Sequence, residues 1–162
     1  MKTLIIIRHA KAEQTFSLND FERSLNDRGK ADAPEMAKRL HKKIKVDAFV
    51  SSPAKRTRKT AEFFAEAYAV DEKDIIYVSA LYQASSRVFF EVVAELDDKF
   101  KNVAIFGHNP GITTFANDLV PEASLDNMPT CSVFAVQAEV YHWSAFSKAK
   151  RTFLFFDFPK NA

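Results

Sequence analysis

A chain of 162 residues, 47% hydrophobic and 27% charged, has the composition of one globular domain rather than of a disordered or fibrous chain. Its formal net charge of +2 gives no global field for nucleic acid or an anionic membrane, and its single cysteine excludes an internal disulfide framework. No apolar run approaches the roughly 18 residues of a membrane span. Met1-Lys2 leads straight into an apolar strand pattern with no secretory leader, so one cytoplasmic domain over residues 1–162 is expected. Nothing in the sequence demands a dimer, and a monomer is expected. The basic runs Lys55–Lys59 and Lys148–Arg151 read as solvated faces, and most of the 16 phenylalanines as core.

Thr3 to Ile7 is a continuous isoleucine-rich run, the pattern of a strand covered on both faces. Lys11 to Asp27 is polar and aperiodic and reads as a long loop, a feature that in compact domains is often functional. Asn26 or Asp27 can cap the next helix, whose buried stripe is Ala33, Met36, Ala37, Leu40 and Ile44. Pro34 is a misfit there, expected to kink the helix or mark its true start. Val46 to Ser51 reads as a second strand. Ser52-Pro53 reads as a hydroxyl cap followed by proline at the first helical position, with a stripe of Thr57, Ala61, Phe64, Ala65 and Tyr68.

Ile75 to Val78 reads as a third strand, and Val88, Phe89, Val92, Val93 and Leu96 as the face of a third helix. Val103 to Phe106 follows as a fourth strand. Asn109-Pro110 repeats the cap-then-proline device before a helix lined by Ile112, Phe115, Ala116 and Leu119. Ser132 to Gln137 and Thr152 to Phe158 read as a late hairpin joined by a connection containing Trp143. Strand alternating with helix predicts an α/β fold, a three-layer α/β/α sandwich. The late hairpin makes its mostly parallel central sheet mixed, with a late antiparallel strand.

Three strand ends carry the chemistry. The first ends in Arg8-His9, the second in Ser51-Ser52-Pro53 with Arg56 close behind, and the fourth in Gly107-His108-Asn109-Pro110. Strand ends of an open α/β sheet converge on one rim, where ligands bind. Two imidazoles among guanidinium groups suit a dianion beside a nucleophile, which reads as phosphoryl transfer through a histidine. No metal-ligand spacing is present, and no cofactor is expected.

Arg8-His9, Ser51-Ser52 with Arg56 and Thr60-Ala61, and Gly107-His108 resemble the three signatures of the histidine phosphatase superfamily, the phosphoglycerate mutase-like proteins. Within it, the short length and Arg23-Ser24-Leu25-Asn26-Asp27-Arg28-Gly29 resemble the SixA-type phosphohistidine phosphatases. Two departures stand out: Ala10 replaces the usual glycine after the histidine, and Ser24 replaces the proline that often follows the Arg23-type arginine. The resemblance implies that His9 is the nucleophile and takes the phosphoryl group to form a phosphohistidine intermediate. It implies that Arg8, Arg56 and His108 are catalytic and bind the phosphate oxygens, and that Arg23 completes the phosphate pocket from the long loop. Neighbouring cations favour the neutral, attacking form of His9. No metal is needed, because cationic side chains supply the charge.

Many superfamily members carry a glutamate after the third strand that protonates the leaving oxygen. Here that stretch is Ser79-Ala80-Leu81-Tyr82-Gln83-Ala84, without a carboxylate. General acids typically contribute ~10²–10⁴-fold, and a site lacking one favours a substrate whose leaving group is already good. Imidazole, with a conjugate-acid pKa near ~6.5, is such a group. A phosphohistidine protein, such as a phosphocarrier or phosphorelay domain, is therefore the expected substrate. Asp20 and Glu22 read as solvated loop charges, with a distant proton donor as the other reading. The first rival function is a phosphatase of small phosphate esters, and the second a catalytically silent phosphate-binding module. Specificity is expected from the Lys11–Asp27 loop and the surface from Tyr82 to Arg87. Lys11 and His41 read as solvent-facing, His142 as surface or packing, Trp143 as cover for the late hairpin, and Cys131 as a small packing residue.

Overall fold

The computed structural model describes residues 1–14 and 19–161; residues 15–18 of the long loop lie outside them. Six strands form one sheet in the order β3-β2-β4-β1-β5-β6, with β1 Lys2–Arg8, β2 Ala48–Ser51, β3 Ile76–Tyr77, β4 Asn102–Gly107, β5 Val133–Ala138 and β6 Arg151–Asp157. The first four run parallel, β5 is antiparallel to β1, and β6 is antiparallel to β5. The expected mixed α/β/α sandwich is the fold observed. The third strand is shorter than its apolar run. As the outermost strand, it pairs with β2 over two residues only, and Ile76 and Tyr77 are both exposed.

Alternation along β1 divides the core. Leu4 and Ile6 face one cluster, with Phe89, Phe115, Trp143 and Phe146; Ile5 and Ile7 face the other, with Met36, Leu40, Phe64 and Phe106. All four β1 residues are fully buried, which is why the run lacks the polar alternation of a half-exposed strand. Helices α1 (Asp27–Lys43) and α2 (Lys55–Ala67) cover one face, and α3 (Ser86–Ala94) with α4 (Gly111–Leu119) the other. Trp143 opens a 3-10 segment over Trp143–Lys148. It is buried, with its indole N–H donated to the carbonyl of Phe100 at 2.9 Å. His142 is exposed and pairs with Asp98.

Two cap expectations fail, and so does one of the two readings of Pro34. Pro34 does not mark the start of α1: the helix begins at Asp27 behind an Asn26 cap accepting the Gly29 N–H at 2.9 Å, and the apolar stripe that packs on the sheet outweighs the proline's missing donor. Ser52 does not cap α2. That helix begins at Lys55, its N-cap Ala54 has no side-chain bond, and Ser52 is bonded elsewhere. Asn109 does not cap α4 either: Pro110 holds the cap position, and the Asn109 side-chain oxygen accepts from the Thr113 hydroxyl at 2.6 Å.

Two close approaches position the loops around the sheet's rim. A Cβ on Gly29 would stand 2.1 Å from the Lys11 carbonyl oxygen, so the glycine lets the start of α1 press against the chain leaving β1. A Cβ on Gly111 would stand 1.8 Å from the Ala84 oxygen, so α4 starts directly against the turn that carries Tyr82 and Gln83. Among the described residues no helix is long and apolar enough to cross a membrane.

Candidate active site

Register brings the chemistry to one rim. Arg8 pairs with Gly107 across β1 and β4, and Ser51 with Phe106 across β2 and β4, so the three strand ends lie side by side. The turn before β5 locks the first of them: the Cys131 N–H donates to the carbonyls of both Arg8 (3.1 Å) and His9 (3.0 Å). Cys131 adopts a left-handed φ of 61° to do so and is fully buried, which fits its reading as a packing residue. Thr60 ties β1 to α2, accepting the Ala10 N–H at 2.9 Å and donating to the Arg56 carbonyl at 2.7 Å. Thr60 in the motif Arg56-x-x-x-Thr60-Ala61 thus holds the arginine beside the histidine.

The rim opens into a cleft of about 590 Å³ lined by Arg8, His9, Arg23, Arg56 and His108. All five sequence-predicted site residues are therefore brought together. The imidazoles of His9 and His108 stand 5.3 Å apart at 54°. His9 Nδ1 lies 2.7 Å from the Ala10 carbonyl oxygen, which can only accept, so Nδ1 carries the proton. Nε2 is then left with a free lone pair, and it accepts from Arg56 Nε at 3.3 Å. Burial pushes the His9 pKa down to about 3, with the Ala10 bond opposing and His108, Arg56 and Arg8 reinforcing the shift. His108 is likewise pushed down to about 3, by burial first and then by Arg56, with Asp20 opposing. Both imidazoles are neutral at physiological pH.

His108 Nε2 is 2.7 Å from Ser52 Oγ and 3.4 Å from Thr57 Oγ1. Arg8 donates through Nη1 to the Met128 carbonyl at 2.8 Å. Among the described residues, buried Arg8 Nε and His108 Nδ1 have no hydrogen-bond partner. Unsatisfied buried groups of this kind typically cost ~1–3 kcal/mol, and a bound ligand removes the cost.

Asp20 departs from its reading as a solvated loop charge. It heads a 3-10 turn, Asp20–Glu22, and its carboxylate binds four donors. Oδ1 accepts from Arg23 Nε (3.1 Å) and Nη2 (2.9 Å), and Oδ2 from Arg56 Nη2 (2.9 Å) and the Tyr82 hydroxyl (2.6 Å). Arg56 Nη1 also donates to the Asp20 backbone carbonyl at 2.6 Å. Partial burial raises the Asp20 pKa, but the hydrogen bonds from Tyr82, Arg56 and Arg23 together outweigh it and hold the carboxyl well below the usual range. Glu22 is exposed, as expected.

Sequence reasoning missed Ser52, Thr57 and Tyr82 as individual site residues, although Tyr82 opens the segment singled out for specificity. It also missed the neutral amides Gln14, Gln83, Asn109 and Asn127 that line the cleft. They come from four separate segments, after β1, after β3, after β4 and before β5, so no local pattern marked them. Lys11 is exposed at the cleft rim. Among the described residues no group of three or more His, Cys, Asp or Glu side chains could hold a metal ion.

Comparison with known proteins agrees with this geometry. Solved structures of similar fold include a candidate phosphohistidine phosphatase SixA from Nakamurella multipartitia, at 22% identity and a TM-score of 0.85, covering 98% of this chain and 96% of that one. A protein histidine phosphatase SixA complexed with tungstate matches at 18% identity and a TM-score of 0.82 over 98% of both chains. A mycobacterial glucosyl-3-phosphoglycerate phosphatase matches at 14% identity and 0.71, over 94% of this chain and 96% of that one. A search of curated proteins by sequence gives no match. The family model for the histidine phosphatase superfamily, branch 1, matches residues 4–85, which carry Arg8, His9, Arg23 and Arg56, and the chain belongs to that superfamily.

Proposed function

We propose that the chain is a phosphatase that transfers the phosphoryl group of a phosphohistidine protein to His9 and then to water. The observation that carries this reading is the fixed tautomer of His9: Nδ1 is spent on the Ala10 carbonyl, and the Nε2 lone pair faces the Arg56 guanidinium. A neutral imidazole with its lone pair among cations is a nucleophile for a phosphoryl dianion. In the first step the Nε2–P bond forms as the bond from phosphorus to the leaving nitrogen breaks. The substrate enters with its other ring nitrogen already protonated, so its imidazole departs neutral and the positive charge passes to the phosphorylated His9 ring. In the second step water attacks phosphorus, the Nε2–P bond breaks, and inorganic phosphate leaves with the water's oxygen. Arg8 and Arg56 neutralise the equatorial oxygens through positioned hydrogen bonds. Ser52 Oγ and Thr57 Oγ1 both lie at His108 Nε2 and hold the ring in the cleft. So positioned, His108 hydrogen-bonds a phosphoryl oxygen as charge redistributes in the transition state.

The substrate class follows from the missing acid. The turn after β3 brings Tyr82 and Gln83 to the cleft rather than a carboxylate, and Asp20 is held ionised, so neither protonates an alkoxide at neutral pH. A phosphohistidine brings that proton on its own second ring nitrogen and so needs no acid from the enzyme, and the guanidinium groups do the work of a metal. The partner in this reading is a cytoplasmic phosphocarrier or phosphorelay domain, met by a monomer. The SixA structures of similar fold support the choice. The glucosyl-3-phosphoglycerate phosphatase of the same fold keeps a small phosphate ester as the second reading.

The test is hydrolysis of a phosphohistidine protein beside para-nitrophenyl phosphate and a sugar phosphate, for the wild type and His9→Ala. Preference for the phosphoramidate, lost in the variant, is expected. Activity confined to the esters overturns the substrate class, and no activity on any of them overturns the enzyme reading.

A further inference from the structure

The cleft's cations are engaged by the protein's own groups. Arg56 is buried, and every donor nitrogen of its guanidinium is engaged: Nε on His9, Nη1 on the Asp20 carbonyl and Nη2 on the Asp20 carboxylate. The Nε–Nη2 edge of Arg23, the fork that would grip an oxyanion, is spent on the other oxygen of the same carboxylate. Tyr82 donates the fourth bond. Asp20 therefore holds Arg56 and Arg23, two of the donors that a tetrahedral anion would take, and leaves Arg8 and His108 untouched.

We infer that Asp20 is a specificity-determining residue: its carboxylate occupies Arg56 and Arg23 at rest and shuts out ligands that bring more negative charge than one phosphoryl group. Two physical arguments support this. An internal anion competes with an external one, and a ligand's apparent dissociation constant rises by the inverse of the fraction of sites left open. Inorganic phosphate, the product, meets that competition in full, whereas a protein substrate adds contacts outside the cleft that offset it. The second argument concerns charge. Arg8, Arg23 and Arg56 bring three positive charges, with Lys11 a fourth at the exposed rim, and Asp20 removes one, which lowers the cleft's charge toward that of a site for one dianion. Without Asp20, Arg23 would be free to bind a second anionic group such as the carboxylate of a phosphorylated acid. With it, such a carboxylate finds another carboxylate in place, and like charges brought together reject a partner.

This inference rests on the phosphatase reading for its role in turnover, but the binding arm of its test does not. Binding of inorganic phosphate to the wild type, Asp20→Asn and Tyr82→Phe is measured by titration calorimetry, without any substrate. Asp20→Asn keeps the side chain's shape, and its position at the cleft mouth makes misfolding avoidable; a thermal melt checks this. The expected result is tighter binding in Asp20→Asn, by about tenfold or more, and a smaller gain in Tyr82→Phe, which loses one of the carboxylate's four anchors. The second arm measures kcat/KM for phosphoserine against para-nitrophenyl phosphate, with Asp20→Asn expected to shift the ratio toward phosphoserine. A merely structural role would not move that ratio. Unchanged or weaker phosphate binding in Asp20→Asn overturns the inference, since it would mean that Asp20 orients Arg56 for the anion rather than competing with it. Failure on phosphohistidine alone would leave the inference standing and remove only the choice of substrate.

Discussion

Ser52 Oγ and His108 Nε2 meet at 2.7 Å, although 56 positions separate them in the chain and they follow different strands. The contact ties the His108 ring to the segment that follows β2. Ser52→Ala removes it and leaves Thr57, at 3.4 Å, as the remaining hydroxyl near that nitrogen. The expected outcome is a fall in kcat of about tenfold to a hundredfold, short of the ~10²–10³ lost with a whole transition-state donor, and an almost unchanged Tm. Nitrogen-15 shifts of His108 should change in the variant, because Nε2 loses a hydrogen-bond partner. Full activity in Ser52→Ala would remove this positioning from the mechanism.

Acid should weaken the fold before it charges the site. His9 and His108 titrate near 3 when folded, against about 6.5 in an unfolded chain. The unfolded state therefore binds more protons below about 6.5. Stability is fully present above that pH and is lost as pH falls toward 3. The linkage slope amounts to roughly 2 kcal/mol per histidine at pH 5. Urea midpoints at pH 7 and pH 5 measure the loss, and His108→Gln should reduce it by about half. A flat profile between these pH values would show that the imidazoles are not held neutral.

Gly111→Ala puts a methyl group 1.8 Å from the Ala84 carbonyl oxygen. Backbone on both sides must move, so destabilisation of about 1–3 kcal/mol is expected, of the size seen for overpacked cores. The same shift displaces the turn that carries Tyr82, so the phosphate affinity of the folded variant should change as well. A chemical denaturation curve matching the wild type would contradict the close approach.

The Cys131 thiol should be inert. It is fully buried, and burial pushes its pKa well above the usual range, so little thiolate is present to react. Alkylation by iodoacetamide is expected only at the rate of unfolding. Cys131→Gly should be tolerated because its φ of 61° suits glycine, while Cys131→Val should cost about 1–3 kcal/mol of strain. Rapid labelling of the native protein would disprove the burial.

Legibility in the sequence followed the range of each interaction. The buried run Leu4–Ile7 and the stripe Ala33, Met36, Ala37, Leu40 were readable because hydrophobic period is local, and both are core. Arg8, His9, Arg56 and His108 were readable as members of one site because strand ends of a parallel sheet share a rim. Ser52 was misread because Ser-Pro is a local helix-start signal, while its actual partner lies on another strand. Asp20 was misread for the same reason. Its partners Arg56 and Tyr82 lie 36 and 62 positions downstream, and no local pattern marks a loop aspartate as the counter-ion of a buried arginine. Pro34 was overweighted, since a propensity penalty in one turn yields to an apolar face that packs along the whole helix.

The placement of β1 between β4 and β5 has a consequence for how the protein is made. The strand bearing Arg8 and His9 is synthesised about a hundred residues before β4, its parallel partner, and further still before β5. At ribosomal speeds of roughly 5–20 residues per second, its isoleucine run waits for seconds with both edges unpaired. The stretch that positions the reactive histidine is thus also the one most exposed to wrong pairing during translation, and it is there that a nascent-chain chaperone would have to act.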